Sequence, residues 1–331
     1  MSRYKTLEHW LSDSLGSSAF NIEPASEDAS FRTYYRLFFK NQTFIIMDAP
    51  PEHENCKSFI KITKKLHACH LNAPIIHNVN LEKGFLLLSD FGNDLYLNAL
   101  NNASVYELYS DAINALITMQ LSSNIGGLDE YDTSLLKIEM ELFTEWLIQK
   151  YLNIELTDNH VSMFNTLFNL LIKNALEQPK VFVHRDFHSR NLMITKDNNP
   201  GIIDYQDAVY GPITYDLVSV LKDCYIKWPH NEISKWVDFY LNRLHEEKSE
   251  HKINRNEFIR WFDLMGVQRH LKACGIFARL SNRDGKHNFV KDIPRTLSYI
   301  LDLREIYSEL KPACIIIEEL ILPRLEERNR C

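Results

Sequence analysis

The segment from Val181 to Leu192 reads Val-Phe-Val-His184-Arg-Asp186-Phe-His-Ser-Arg-Asn191-Leu. It sets a carboxylate and, five positions later, a side-chain amide on one loop between two β-like pieces. Eighteen residues after Asp186, Asp204 closes the apolar run Gly201-Ile202-Ile203. Phosphoryl transfer from a nucleotide needs a carboxylate to orient and deprotonate the attacking hydroxyl, with oxygen ligands for a divalent cation beside it. Asp186 suits the first role, and Asn191 and Asp204 suit the second as hard oxygen donors. Loop Asp and Asn ordinarily cap turns; the joint spacing of three such residues around β-like runs is what separates this trio from that use. His184, beside an apolar strand, reads as an internal hydrogen-bonding strut rather than a base or a ligand. His188 has no second ligand at zinc spacing.

The elements that must carry this loop follow from pattern. Phe31 to Phe39 and Thr43 to Met47, parted by Lys40-Asn41-Gln42, predict a β-hairpin. Pro50-Pro51 stops it, and Phe59, Ile62 and Leu66 predict a helix between Glu52 and His70. A second strand pair is predicted at Ile75 to Val79 and Gly84 to Leu88, before the turn chemistry of Ser89-Asp90-Phe91-Gly92. That change places a boundary, with residues 1–92 as an N-terminal lobe, a hinge at about 89–95, and residues 93–331 as a helical C-terminal lobe that carries the Asp186 loop. Helical periodicity follows at 105–121, 134–152, 161–176, 215–226, 234–244, 255–280, 294–310 and 313–328. Short β-like runs at 181–183 and 192–194 interrupt it.

Composition narrows the function classes. The 331 residues are 45% hydrophobic and 24% charged with a formal net charge of −7, so most of the chain folds around a sizeable core and offers no basic stripe to nucleic acid. The apolar stretches fall short of the roughly 18 residues of a membrane span. Met1 to Leu15 is amphipathic and charged, unlike a secretory signal, and the six cysteines show no paired spacing. A cytoplasmic chain with free thiols, and without nucleic-acid or membrane partners, is expected.

His184-Arg-Asp186-x4-Asn191, Ile203-Asp204-Tyr205-Gln206-Asp207 and Gly211-Pro212-x3-Asp216-Leu217 resemble the aminoglycoside phosphotransferase and choline kinase group. The resemblance implies an α/β, protein-kinase-like fold with a small β-rich N-lobe and a large helical C-lobe. It also implies a nucleotide-binding role for residues 1–92, and the catalytic and metal loops and the acceptor site for residues 93–331. Asp28-Ala-Ser30-Phe-Arg32-x-Tyr34, Met47-Asp-Ala-Pro-Pro-Glu52 and Gly266-Val-Gln-Arg269-His270-Leu-Lys272-x2-Gly275 are similar to a narrower set. These are the cell-wall-recycling kinases that phosphorylate the anomeric hydroxyl of N-acetylmuramate and N-acetylglucosamine. That likeness implies an ATP- and Mg2+-dependent enzyme acting on a small amino sugar, with a functional link to a sugar-1-phosphate uridylyltransferase. Asp186 then matches the catalytic base, Asn191 and Asp204 the metal ligands, and Asp216 a structural carboxylate that accepts backbone N–H bonds from the catalytic loop.

Two departures concern the nucleotide side. The strand Phe44 to Asp48 has no lysine, and Ser26 to Ser30 has no glycine, so backbone amides there, including that of Ser30, would approach phosphate with Cβ atoms present. Arg32 is the first candidate for the missing cation and Arg36 the second; the alternative is that both flank exposed strand faces. Asp90-Phe91-Gly92 precedes the catalytic loop, whereas a kinase metal motif follows it. Ser89, Asp90 and Phe91 better suit a linker whose backbone would hydrogen-bond adenine. For the sugar, Arg269 or His270 could meet a lactyl carboxylate, against the alternative of a solvated helical face. Tyr205, Gln206, Asp207, Asp223 and Tyr225 are candidates for hydroxyl binding or stacking, while Trp146 and Trp261 read as core anchors. Two other functions share these residues: an aminoglycoside or other small-alcohol phosphotransferase, and a non-catalytic nucleotide-binding scaffold.

Overall fold

The structure, a computed structural model, describes residues 2–27, 31–122, 126–247 and 253–330. The chain divides into two compact units, Met1–Asn98 with Asn191–Asp207, and Ala99–Arg190 with Ala208–Cys331. The first unit thus runs past 92 and takes in a segment that the sequence reading gave to the helical part.

In the first unit, helix α1 (Arg3–Leu15) starts at Ser2, whose hydroxyl accepts the Lys5 N–H, and stops at Gly16 in the left-handed conformation, which glycine adopts without strain. Strands β1 (Asn21–Glu27), β2 (Thr33–Phe39) and β3 (Gln42–Asp48), helix α2 (Cys56–Ala68) and strands β4 (Ile76–Asn80) and β5 (Phe85–Ser89) follow. The sheet is antiparallel in the order β1-β2-β3-β5-β4. Leu37, Ile46, Phe85 and Leu87 point to one face and form a core with Leu7, Trp10 and Leu11 of α1. Burial of each large side chain there is worth about 1.5–3 kcal/mol. Arg3 ties the start of α1 to the sheet through Asp48 (2.8 Å) and the Lys83 carbonyl (2.7 Å). The sequence reading missed β1, whose Pro24 sits at a register shift against β2.

The segment 191–207 forms a two-stranded hairpin, Leu192–Met193 against Gly201–Ile202. Among the bonds that fasten it within the unit, Asn72 O accepts the Ile202 N–H (2.7 Å), Ser58 of α2 donates to Gln206 O (2.7 Å), and Tyr205 shares a 2.8 Å hydroxyl contact with Thr63 of α2. Asp204 lies between these anchors.

The second unit is helical around a small sheet of Asp129–Glu130, Val209–Pro212 and Lys180–Val183. Its longest element, the helix Arg255–Asp284, is capped by Asn254 and by Gly285 in the left-handed conformation. A Cβ on Gly275 would come within 2.4 Å of the Leu142 backbone, so glycine permits close approach of the helix that begins at Thr133. Beside that contact the predicted continuous helix at 134–152 changes to π-helical winding over Phe143–Tyr151. The helix predicted at 215–226 ends at Leu221, because the Asp223 carboxylate takes the Tyr225 N–H and folds the chain back. The one predicted at 294–310 ends at Leu301 and continues in turns. Among the described residues, no helix is long and apolar enough to cross a membrane, and Cys56, Cys69, Cys224, Cys274 and Cys314 are free thiols.

Candidate active site

The first unit brings Asn191, Asp204 and Arg32 together. Ile203 donates its N–H to the Asn191 carbonyl (3.1 Å), which aligns the ends of the hairpin, and the Asn191 amide lies 3.3 Å from Asp204 Oδ2. Asp204 has φ of 62°, a left-handed geometry that a non-glycine residue adopts at a cost, and it aims the carboxylate where Gln206 Nε2 donates to Oδ1 (2.9 Å). Arg32 precedes β2 with its side chain 9% exposed; it donates to Glu54 Oε2 (2.6 Å) and stands 3.7 Å from Asp204 Oδ1. Burial opposes its charge, but Tyr34, Glu54 and Asp204 outweigh that and raise its pKa. The amide oxygen of Asn191, reached by a half-turn of its terminal torsion, and the Asp204 carboxylate form a hard-oxygen pair that fits Mg2+, an ion that keeps several waters and takes one or two protein ligands.

Other nucleotide-side candidates fall elsewhere in this unit. Arg36 is held by Asp90 (2.7 and 3.1 Å), Asn93 (2.6 Å) and Gly92 O (2.8 Å). Its guanidinium latches the sheet to the following loop, so Arg32 rather than Arg36 is the cation brought to Asp204. The Asp90 carboxylate is thereby a latch partner. Ser89 exchanges backbone and side-chain bonds with Ile75 (2.9 Å each). The Phe91 ring lies against Gly201. Ser30 is outside the described residues. Tyr205 is fully buried, stacked on Phe59 at 4.9 Å and bonded to Thr63, so it is a core residue rather than a sugar contact. Asp207 is exposed, accepting a 3.3 Å bond from Gln206. Glu54, which the sequence reading missed, has no spacing signal: only the fold places it beside Arg32.

The second unit carries Asp186. Strand Lys180–Val183 delivers the chain to a loop whose His184 and Arg185 N–H groups both donate to Asp216 (2.6 and 3.0 Å). Burial outweighs those bonds and the pull of Arg269, and pushes the Asp216 carboxyl up to about 7. His184 is wholly buried, and its Nδ1 accepts the Asp186 N–H (3.2 Å). At the far end of the loop Ser189 donates its N–H (2.9 Å) and hydroxyl (2.5 Å) to Asp223. Burial alone would raise Asp186, but Lys272, His188, Arg269 and Arg185 hold it down to about 2, so it is ionised at neutral pH.

Behind it, Glu139 bonds Arg185, Tyr131 and Lys272, the last at 2.9 Å, in a buried network that fixes Arg185 and Lys272. This network also escaped the sequence reading, since 46 residues separate Glu139 from Arg185.

The expected sugar contacts need correction here too. His270 is 1% exposed, stacks on Tyr299 at 4.7 Å, and bonds Lys222 O at 2.9 Å. Burial pushes its pKa down to about 3, so the ring is neutral and cannot pair with a carboxylate. Both oxygens of Asp223 are taken by Ser189 and Tyr225, which makes it a loop strut rather than a hydroxyl ligand. Arg269 is 5% exposed, lies 5.8 Å over the Tyr215 ring, and acts on Asp186 through its field from inside the core. Tyr225 is half-buried, edge-on to His188 at 5.5 Å.

Comparison with known proteins covers nearly all of these residues. Residues 21–252 match the phosphotransferase enzyme family. The chain is 40% identical over 328 residues to the N-acetylmuramate/N-acetylglucosamine kinase of Pseudomonas putida, covering 96% of each, and 39% identical over 310 residues to that of Pseudomonas aeruginosa, covering 90% and 91%. The solved choline kinase LicA from Streptococcus pneumoniae superposes with a TM-score of 0.65 at 13% identity, covering 90% of this chain and 99% of that one. That likeness gives the fold as protein-kinase-like, with a β-sheet N-terminal part and a helical C-terminal part. Arg32, Asp186, Asn191, Asp204 and Asp216 all lie within the family match, and the chain belongs to the phosphotransferase enzyme family.

Proposed function

We propose that this ATP-dependent kinase phosphorylates the anomeric hydroxyl of N-acetylmuramate and N-acetylglucosamine to give the sugar 1-phosphate. The observation that carries the acceptor is the near-full-length identity to the Pseudomonas putida kinase of that name. Asp186 orients the hydroxyl and receives its proton. At a pKa of about 2 it is too weak a base to ionise the alcohol first, so the proton moves as the bond to phosphorus forms. Arg32, steadied by Glu54, is the phosphate-binding cation in place of a strand lysine. Asn191 and Asp204 are the residues that would hold Mg2+, which when bound spreads the negative charge of the transferring group. The buried cations around Asp186 disfavour a polycationic aminoglycoside as acceptor. A sugar 1-phosphate is the form that a uridylyltransferase consumes, which makes such an enzyme the functional partner.

Phosphorus NMR of the products formed from ATP and each sugar tests this reading. A glycosyl 1-phosphate is expected; a 6-phosphate, or no turnover with either sugar, overturns it.

A further inference from the structure

Arg190 lies four residues after Asp186 and immediately before Asn191 in the chain. Its guanidinium carbon sits 4.9 Å from the centroid of the Tyr225 ring and 5.1 Å from that of Phe289. Phe289 stacks on Phe277 of the long helix at 5.8 Å, and Phe277 also meets Tyr225 at 6.0 Å, so the two rings belong to one packed aromatic cluster. Ring faces engage the face of a guanidinium and leave the in-plane N–H donors unused. Among the described residues, no carboxylate stands within ion-pair distance of Arg190 and no hydrogen bond reaches it, whereas Arg185 on the same loop is tied to Glu139. The neighbouring ring of His188 also has a buried Nδ1 without a hydrogen-bond partner. The loop beneath is fixed by the two bonds from Ser189 to Asp223, so the planar fork is held in place. A half-buried fork of this kind, fixed and unpaired, suits a planar anion that can accept two parallel bonds.

We propose that Arg190 is a specificity-determining residue that pairs with the lactyl carboxylate of N-acetylmuramate. This rests on the sugar-kinase reading above. The carboxylate is the group that distinguishes N-acetylmuramate from N-acetylglucosamine as an anion, and Arg190 shares the unit of Asp186, the residue that addresses the acceptor hydroxyl. Arg269, the residue first suggested for this anion, is enclosed by the core.

The test is steady-state kinetics of the full chain with both sugars for wild type, Arg190→Met and Arg190→Lys. In Arg190→Met the ratio of kcat/KM for N-acetylmuramate over N-acetylglucosamine falls by about 10- to 100-fold, as expected for a lost charged hydrogen bond. The change appears as a raised KM for N-acetylmuramate, which a smaller folded fraction cannot produce. Arg190→Lys gives an intermediate ratio, because the ammonium keeps the charge and loses the fork. An unchanged ratio in both variants, including equal loss with both sugars, overturns the assignment and gives Arg190 to the transferring phosphate or to the fold. A wild type that phosphorylates neither sugar overturns the sugar-kinase reading, and this assignment with it.

Discussion

Asp204 and Asp186 stand in opposite electrical company. Asp204, in the first unit, has an amide at 3.3 Å, a second amide at 2.9 Å, and a cation, Arg32, whose charge is shared with Glu54. Asp186, in the second unit, is overlooked by Lys272, Arg269, Arg185 and His188. The first arrangement sets two hard oxygen ligands side by side and suits the capture of a small cation with its phosphates. The second keeps one carboxylate ionised against burial. Residues of the same chemical type, 18 apart in sequence, are thereby given opposite electrostatic surroundings by their neighbours.

The hardest blow to this contrast is removal of the acceptor-side carboxylate. Asp186→Ala lowers kcat by about 10²- to 10⁴-fold while the unfolding midpoint stays near wild type; turnover within threefold of wild type would remove Asp186 from the role. Glu139→Gln leaves Arg185 and Lys272 buried without their shared acid and costs about 3–5 kcal/mol of stability, read from urea unfolding. On the nucleotide side, Arg32→Met raises the KM for ATP by about 10- to 100-fold, with Glu54→Gln smaller in the same direction. A larger effect on the sugar KM would contradict the division of labour between the units.

The smallest effect is one of pH. The folded-state pKa of His270 is depressed to about 3 from an ordinary 6.5, so the unfolded chain binds its proton first as pH falls. The stability that this group contributes is complete above about pH 6.5 and declines toward pH 3, by up to about 1.4 kcal/mol per pH unit. His188 is shifted in the same direction. Chemical unfolding of His270→Gln at pH 7.5 and 5.5 should show a shallower decline than wild type; an identical decline would assign the acid sensitivity to other groups.

The helix Arg255–Asp284 shows why part of the site was hidden from sequence. Periodicity assumes one solvated face, yet Asp263 to Lys272 is buried on every side. Its polar residues are core residues with through-space partners: Asp263 with Lys222 at 2.7 Å, His270 with Lys222 O, Lys272 with Glu139. Neither a solvated face nor a ligand-facing row describes them. Tyr205 and Asp223 were misjudged in the same way, since a tyrosine or aspartate in a loop has the same letter whether it binds sugar or braces the loop. Arg190 did carry a signal, a basic residue inside the Asp186-to-Asn191 motif, whereas the pairing of Arg32 with Glu54 carried none.

By itself the sequence determined the order and spacing of Asp186, Asn191 and Asp204, the hairpin of β2 and β3, and the helical bulk of the chain. These depend on covalent separation and on local side-chain alternation, which are the same before and after folding. The tertiary structure decided which arginine faces Asp204, which cations hold Asp186 ionised, and which polar residues are enclosed. Those outcomes are set by distances of a few ångströms between residues tens to more than a hundred positions apart, and by the loss of water around them, and neither quantity exists until the chain has packed.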